Sequence, residues 1–297
     1  MSFTRLEVMY GHLQGTPRKF AREPSGHLAV GAGIFRQRGL DVSWRHVQGT
    51  EERYQRLESG SAHISLVVGR ASLSHFLKTR TTRILGSPMS SCPYFLLVRS
   101  GIETTHDLKN RTIACRESVA RIAPIAETFQ LEPGADPALR LPEEDHQAFD
   151  LLIAGEVDGA LLPRPYGFMA EEKGFRKLAH WPEVVDDPLP VTIETTASLW
   201  REREKDFLAF LEAHSEGICY MKSHRAEAIG MLGERFDHPS SFAARTFDDY
   251  FAWLDDRLTV DFRQLEKLLA QVAPDAGITA RQLASDWIVP GAVRDYP

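Results

Sequence analysis

Between Gly26 and Phe76 the apolar residues switch repeatedly between helical and strand spacing, and that alternation restricts the chain more than any other feature. The pattern predicts a helix over His27–Arg38, stopped by Gly39, and a strand over Leu40–Val47. A second helix follows over Thr50–Glu58, then Gly60, then a short apolar strand over Ile64–Val68. Gly69 and Arg70 come next, where a further helix begins. Strands separated by helices form parallel sheets with the helices packed on their faces. In open sheets of this kind ligands bind just beyond the carboxyl ends of the strands. Arg70 stands at such an end, which makes it a candidate ligand contact.

The flanking chain extends the alternation. Leu6–Tyr10 reads as a first strand ended by Gly11, and His12–Ser25, with Gly15, Pro17 and Pro24, as a loop. Thr82–Ser87 and Tyr94–Arg99 read as strands, with a turn at Ser90–Pro93 between them. Arg111–Cys115 is a short strand, and Ser118 is a candidate N-cap for a helix to Phe129, with Pro124 inside it as a bend. Gln130–Glu144, broken by Pro133, Gly134, Pro137 and Pro142, is predicted as loop. A helix over His146–Ala154 stops at Gly155, and the strand Asp158–Leu162 runs into Pro163-Arg164-Pro165-Tyr166. Trp181–Pro190 is a linker, Val191–Ser198 a β-branched strand, and the chain from Trp200 onward is helical. No internal repeat or low-complexity segment is visible.

Charge and motifs narrow the chemistry. A net charge of -6 argues against general nucleic-acid binding. No apolar run is long enough to cross a bilayer, so direct membrane insertion is not expected. Cys92, Cys115 and Cys219 lie far apart without a CxxC pair, which predicts free thiols. Neither a metal nor a cofactor is expected, because HExxH, P-loop and GxSxG patterns are missing from the sequence. The run Gly31–Arg36 lacks the third glycine and the leading strand of a dinucleotide site. The acidic run Glu143–His146 reads as a helix start. Met1–Gly11 enters a strand directly, so no secretory signal is expected in it. The compartment stays open: periplasmic if a leader was removed, cytoplasmic if Met1 is the native start.

Several segments carry a resemblance. Gly33-Ile34-Phe35 with Gly39-Leu40-Asp41-Val42, Leu57–Ile64, and Leu152–Gly159 resemble patterns of the type II periplasmic-binding-protein-like family. The likeness is to its NMT1/THI5-like and aliphatic-sulfonate or taurine branches, which are ABC-transporter solute-binding proteins. Ser61 and His63 stand where the family pattern usually has acids. The resemblance implies an α/β fold of two mixed-sheet lobes joined by two crossovers, with a helical C-terminal third. Expected boundaries are 1–88 and 193–297 for the first lobe and 89–192 for the second. It implies a solute-binding protein that captures a small organic anion between its lobes by hinge closure, with an ABC permease as possible partner. The alternative is a cytoplasmic enzyme on the same scaffold, such as a decarboxylase, a C–S lyase or a pyrimidine-synthesis enzyme. The loop Tyr10–Gly15 has no cysteine to match the desulfinase type, and the pyrimidine synthases' cysteine motif is absent too.

The same resemblance puts ligand contacts at strand ends and helix starts: Tyr10, His12, Gln14, Gly69, Arg70, Ser90, Ser91, Ser118, Arg121, Arg164 and Thr195. Helix N-termini and arginine forks both suit a carboxylate, sulfonate or phosphate. His12 is the general-base candidate if the chain is an enzyme.

Overall fold

Ten strands build two sheets of five in the computed structural model, which describes residues 3–13, 20–21, 24–47, 49–67, 69–91, 94–116, 137–180, 191–237, 239–273, 278–290 and 293–294. The strands are β1 (Thr4–Tyr10), β2 (Leu40–His46), β3 (Ile64–Val67), β4 (Thr82–Gly86), β5 (Tyr94–Val98), β6 (Thr112–Cys115), β7 (Ala138–Arg140), β8 (Gly159–Pro163), β9 (Arg176–His180) and β10 (Thr192–Thr196). The chain divides into two compact units. One holds residues 1–12, 21–91 and 188–297, the other residues 13–20 and 92–187.

In the first unit the order is β2-β1-β3-β10-β4. β1 runs parallel to β2, from Thr4 opposite Leu40 to Tyr10 opposite His46, and parallel to β3. β10 is antiparallel to both β3 and β4. Every residue of β3 and of β10 is buried, as expected for strands covered on both faces. The long helix Ala197–Ser223 packs on one face, where Phe210 stacks on Phe35 at 5.2 Å. The second unit repeats the plan as β7-β6-β8-β5-β9, with β5 the antiparallel strand and β6, β7 and β8 parallel.

The two copies of the sequence pattern occupy the same place in the two sheets. Leu57–Ile64 closes the helix Thr50–Glu58, turns at Gly60 with φ +71°, and enters β3. Leu152–Gly159 closes the helix Asp145–Ile153, turns at Gly155 with φ +73°, and enters β8. A left-handed turn residue is needed at both sites, and glycine supplies it without steric cost. The two units thus share one helix–turn–strand segment, marked by these two turns.

Two local expectations change and one holds. The helix expected over His27–Arg38 is two, Ser25–Gly31 and Ile34–Gln37, because Gly33 adopts φ +74° and ends the first run. Part of the loop expected over Gln130–Glu144 is β7, an edge strand whose three residues are all exposed. With no buried face it has no alternation to read. Glu144 caps the helix Asp145–Ile153 reciprocally with Gln147, so the acidic run is indeed a helix start. The helix expected from Ser118 and the linker Trp181–Pro190 lie outside the described residues.

Gly26 has no room for a side chain, since an added Cβ would collide with the Trp44 ring. Gly230, on the helix Arg225–Phe236, faces open space. Gly26→Ala should cost about 2 kcal/mol of unfolding free energy through overpacking. Gly230→Ala should gain roughly 0.5–1 kcal/mol from helix propensity. Urea unfolding of both variants checks the pair, and equal effects would mean that Trp44 is not packed on Gly26.

Candidate functional site

The parallel strands of the first sheet end at Tyr10, His46 and Val67, and the helices Thr50–Glu58 and Gly69–Thr79 begin just after the last two. This carboxyl edge is where open α/β sheets receive ligands. Among the described residues, the cation buried there is Arg53. Its Nη1 donates to the carbonyl of Leu66 at 3.0 Å and its Nη2 to Thr50 Oγ1 at 3.2 Å. Nη1 also lies 3.1 Å from where a Cβ on Gly11 would be, so the glycine after β1 leaves room for the guanidinium. Arg53 is placed by its helix. Arg53, Tyr54 and Leu57 are buried, whereas Arg56 pairs with Glu52 one turn earlier on the exposed side.

Two histidines near this edge have lowered pKa values. Burial lowers the pKa of His46, and the charge of Arg53 lowers it further. Burial also lowers that of His75, against the opposing pull of Glu58 at 3.5 Å. Tyr10 is buried, with its ring edge-on to His27 at 4.5 Å and its hydroxyl accepting from Arg235 Nη2 at 3.3 Å.

Beside Arg53 on the same helix, Tyr54 reaches an interior carboxyl group. The Tyr54 hydroxyl donates to Glu194 Oε2 at 3.1 Å, and its ring stacks on His75 at 3.6 Å. Thr192 Oγ1 lies 2.9 Å from Glu194 Oε1 and 3.2 Å from the carbonyl oxygen of Val67. A threonine has one hydroxyl proton. If Glu194 is ionised, that proton can satisfy Glu194 or Val67, but not both. If Glu194 is protonated, its O–H donates to Thr192, Thr192 donates to Val67, and Tyr54 donates to the other carboxyl oxygen. Geometry thus favours the neutral acid. Glu194 is fully buried, and burial pushes its pKa up to about 7 against the hydrogen bonds and the Arg53 charge.

The sequence candidates fall into several groups. Tyr10 lies at the carboxyl edge. Gly69 and Arg70 open the helix Gly69–Thr79 next to it, with their side chains outside the described set. His12 sits in the short strand His12–Leu13, its side chain likewise outside that set. Gln14, Ser118 and Arg121 lie outside the described residues. Ser90 is exposed and spends its N–H and hydroxyl on the carbonyl of Trp253, at 2.8 and 3.3 Å; Ser91 is buried. Arg164 is buried in the second unit, directly after β8. Thr195 points to the sheet face opposite Glu194 and donates to the carbonyl of His63 at 2.8 Å.

Sequence reasoning missed Arg53. The available signal was its (i, i+4) relation to Leu57, which puts it on the apolar face of its helix.

The strand order and crossover pattern are those of the type II periplasmic binding proteins, and solved structures match accordingly. The periplasmic sulfonate-binding protein SsuA of Methylobacillus flagellatus superposes with a TM-score of 0.74 at 13% identity, over 97% of this chain and 92% of that one. The alkanesulfonate-binding protein SsuA of Xanthomonas axonopodis pv. citri, bound to MOPS, matches with a TM-score of 0.70 at 16% identity over 98% of each chain. A Candida albicans protein described as defining a new family with the generic periplasmic-binding-protein fold matches at 0.70 and 12% identity, over 97% of this chain and 96% of that one. These likenesses establish the fold. No protein-family model and no curated protein matches the sequence.

Glu194 gives a pH-dependent stability of known sign. Its folded pKa, about 7, lies above its ordinary value of 4.5. The folded state therefore binds more protons between these values, and stability falls as pH rises through that window. His214 acts oppositely. Burial lowers its pKa to about 3, so its contribution is complete above the ordinary value of 6.5 and is lost as pH falls towards 3. Comparison of wild type with Glu194→Gln cancels the histidine. The wild type should lose about 3 kcal/mol relative to the variant between pH 4.5 and 7.5. Urea titrations across that range check it, and parallel stability curves would refute a raised Glu194.

Proposed function

We propose that this chain is a solute-binding protein that captures a small organic anion, a sulfonate or carboxylate, for an ABC-type uptake system. The observation that carries the reading is Arg53, a buried guanidinium at the carboxyl edge of the first sheet. A planar fork there suits an oxyanion group, and hydrogen bonds made by a charged group are stronger than neutral ones. Helix Gly69–Thr79 begins on the same edge, and Gly69 and Arg70 at its start belong to the proposed contact set with Tyr10. The likeness in fold to proteins named for binding sulfonates supports the same class of ligand. Delivery of the ligand to a permease is part of the proposal.

A thermal-shift panel tests it, with ethanesulfonate, benzenesulfonate, benzoate and nitrate in imidazole buffer, which contains no competing sulfonate. A probe present at a hundredfold its Kd should stabilise the fold by about 2.7 kcal/mol. Arg53→Met should weaken binding of that probe roughly tenfold or more, the loss expected for a charged hydrogen bond. The circular dichroism of the variant should stay native. If no probe shifts the transition, or Arg53→Met binds as wild type does, the anion site is elsewhere or does not exist.

A further inference from the structure

We infer that Glu194 makes anion capture proton-linked: when an anion settles on Arg53, the Glu194 carboxyl takes up a proton. The inference rests on the anion site proposed above and adds a partner to it. Glu194 lies on β10 with its carboxyl enclosed and hydrogen-bonded to the hydroxyls of Tyr54 and Thr192. Those partners are fully used when the acid is neutral, and one proton short when it is ionised.

Two helices and two flanking strands bring the neighbouring side chains to Glu194. Helix Thr50–Glu58 brings Tyr54 and, beside it, Arg53. Helix Gly69–Thr79 brings His75, stacked on Tyr54 and paired with Glu58 at 3.5 Å. On β3 the residue opposite Glu194 is Ser65, and on β4 it is Ile84. Arg83, next on β4, turns to the carbonyls of Arg80 and Thr82 at 3.3 and 2.7 Å. Hydrogen bonds from Thr192 and Tyr54 favour the ionised form of Glu194, and among the described residues the charge of Arg53 adds to them.

An anion on the guanidinium cancels that charge. The carboxylate then loses part of the stabilisation that opposes its desolvation, and the balance moves towards the protonated acid. The proton comes from solvent, and no bond other than the O–H changes. Linkage is reciprocal, so the anion must bind more tightly where Glu194 is already protonated. A shift of one pKa unit on binding would make affinity roughly tenfold weaker at pH 8.5 than at pH 5.5.

Isothermal titration of ethanesulfonate and benzenesulfonate into the whole chain at pH 7, in imidazole and in Bis-Tris, reads the proton directly. The two buffers differ in ionisation enthalpy, so uptake appears as a buffer-dependent heat. The expected result is net uptake of a fraction of a proton in wild type and none in Glu194→Gln, whose affinity is flat with pH. Tyr54→Phe serves where Glu194→Gln does not fold. It removes a donor to the carboxylate, so the pH of greatest uptake should rise. Binding of either probe without uptake would overturn the inference and leave the anion site intact. Uptake that persists unchanged in Glu194→Gln, or an unshifted maximum in Tyr54→Phe, would also overturn it. Failure of both probes to bind would overturn the sulfonate reading and this inference together.

Discussion

The first sheet depends on one strand brought from far along the chain. β10 pairs on one side with β3 and on the other with β4, and all five of its residues are buried. Without it β4 would have no partner in the sheet, and β3 would present an open edge in the middle of a hydrophobic core. Pairing of this non-local kind is entropically expensive to form and has to be secured by its side chains. Ile193 does so with apolar burial. Thr192, Glu194 and Thr195 do it with hydrogen bonds to the carbonyl of Val67, to Tyr54 and to the carbonyl of His63. The strand that completes the sheet is therefore also the one that carries a carboxyl group into its interior.

Burying that carboxyl group has a cost which the surroundings reduce rather than remove. An apolar residue would serve the sheet better, since unpaired buried charges are unfavourable by several kcal/mol. Holding the group as a neutral acid avoids most of the penalty and converts it into sensitivity to the nearest cation. Arg53 is that cation, and its own burial is offset by the carbonyl of Leu66 and the hydroxyl of Thr50. Burial lowers the pKa of both His46 and His75, which weakens the field either of them adds. Arg53 is thus a buried charge at the carboxyl edge, and Tyr54, one residue along the same helix, donates to the carboxyl group that responds to it.

How much of this could be read from the sequence depends on what each signal reports. The α/β alternation was legible because buried parallel strands are continuous apolar runs and their helices end on glycines that need positive φ, as at Gly60 and Gly155. β7 was not legible, because an exposed edge strand of three residues has no buried face. The candidate site was harder for a similar reason. Loop and strand-end positions were chosen because ligands approach there, which drew attention to Tyr10 and to the start of the helix Gly69–Thr79. Arg53 was passed over because it follows Glu51 and Glu52, a context that reads as a solvated first helical turn. Only tertiary packing, with Gly11 leaving space beside β1, turns that arginine inward. Glu194 fell inside a β-branched strand, where nothing in the local pattern distinguishes a buried acid from an exposed one.

The second unit gives an independent view of the same constraint. Its third strand, β8, runs parallel to β6 and leads straight into Arg164, which is buried. By topology this is again the carboxyl edge of the parallel strands. Two sheets with the same strand order thus each place a buried guanidinium at the corresponding edge, one from a helix and one from a strand end. Because the two arginines come from different positions in the repeat, simple duplication of a sequence motif does not account for both. What the two units share is a parallel sheet whose carboxyl edge, with helix N-termini beginning nearby, favours negative charge. A cation at such an edge gains nothing from those dipoles, whereas an anion gains from both the dipoles and the guanidinium. That double attraction is the physical reason to look for an anion at this edge rather than at any of the exposed arginine pairs elsewhere on the surface.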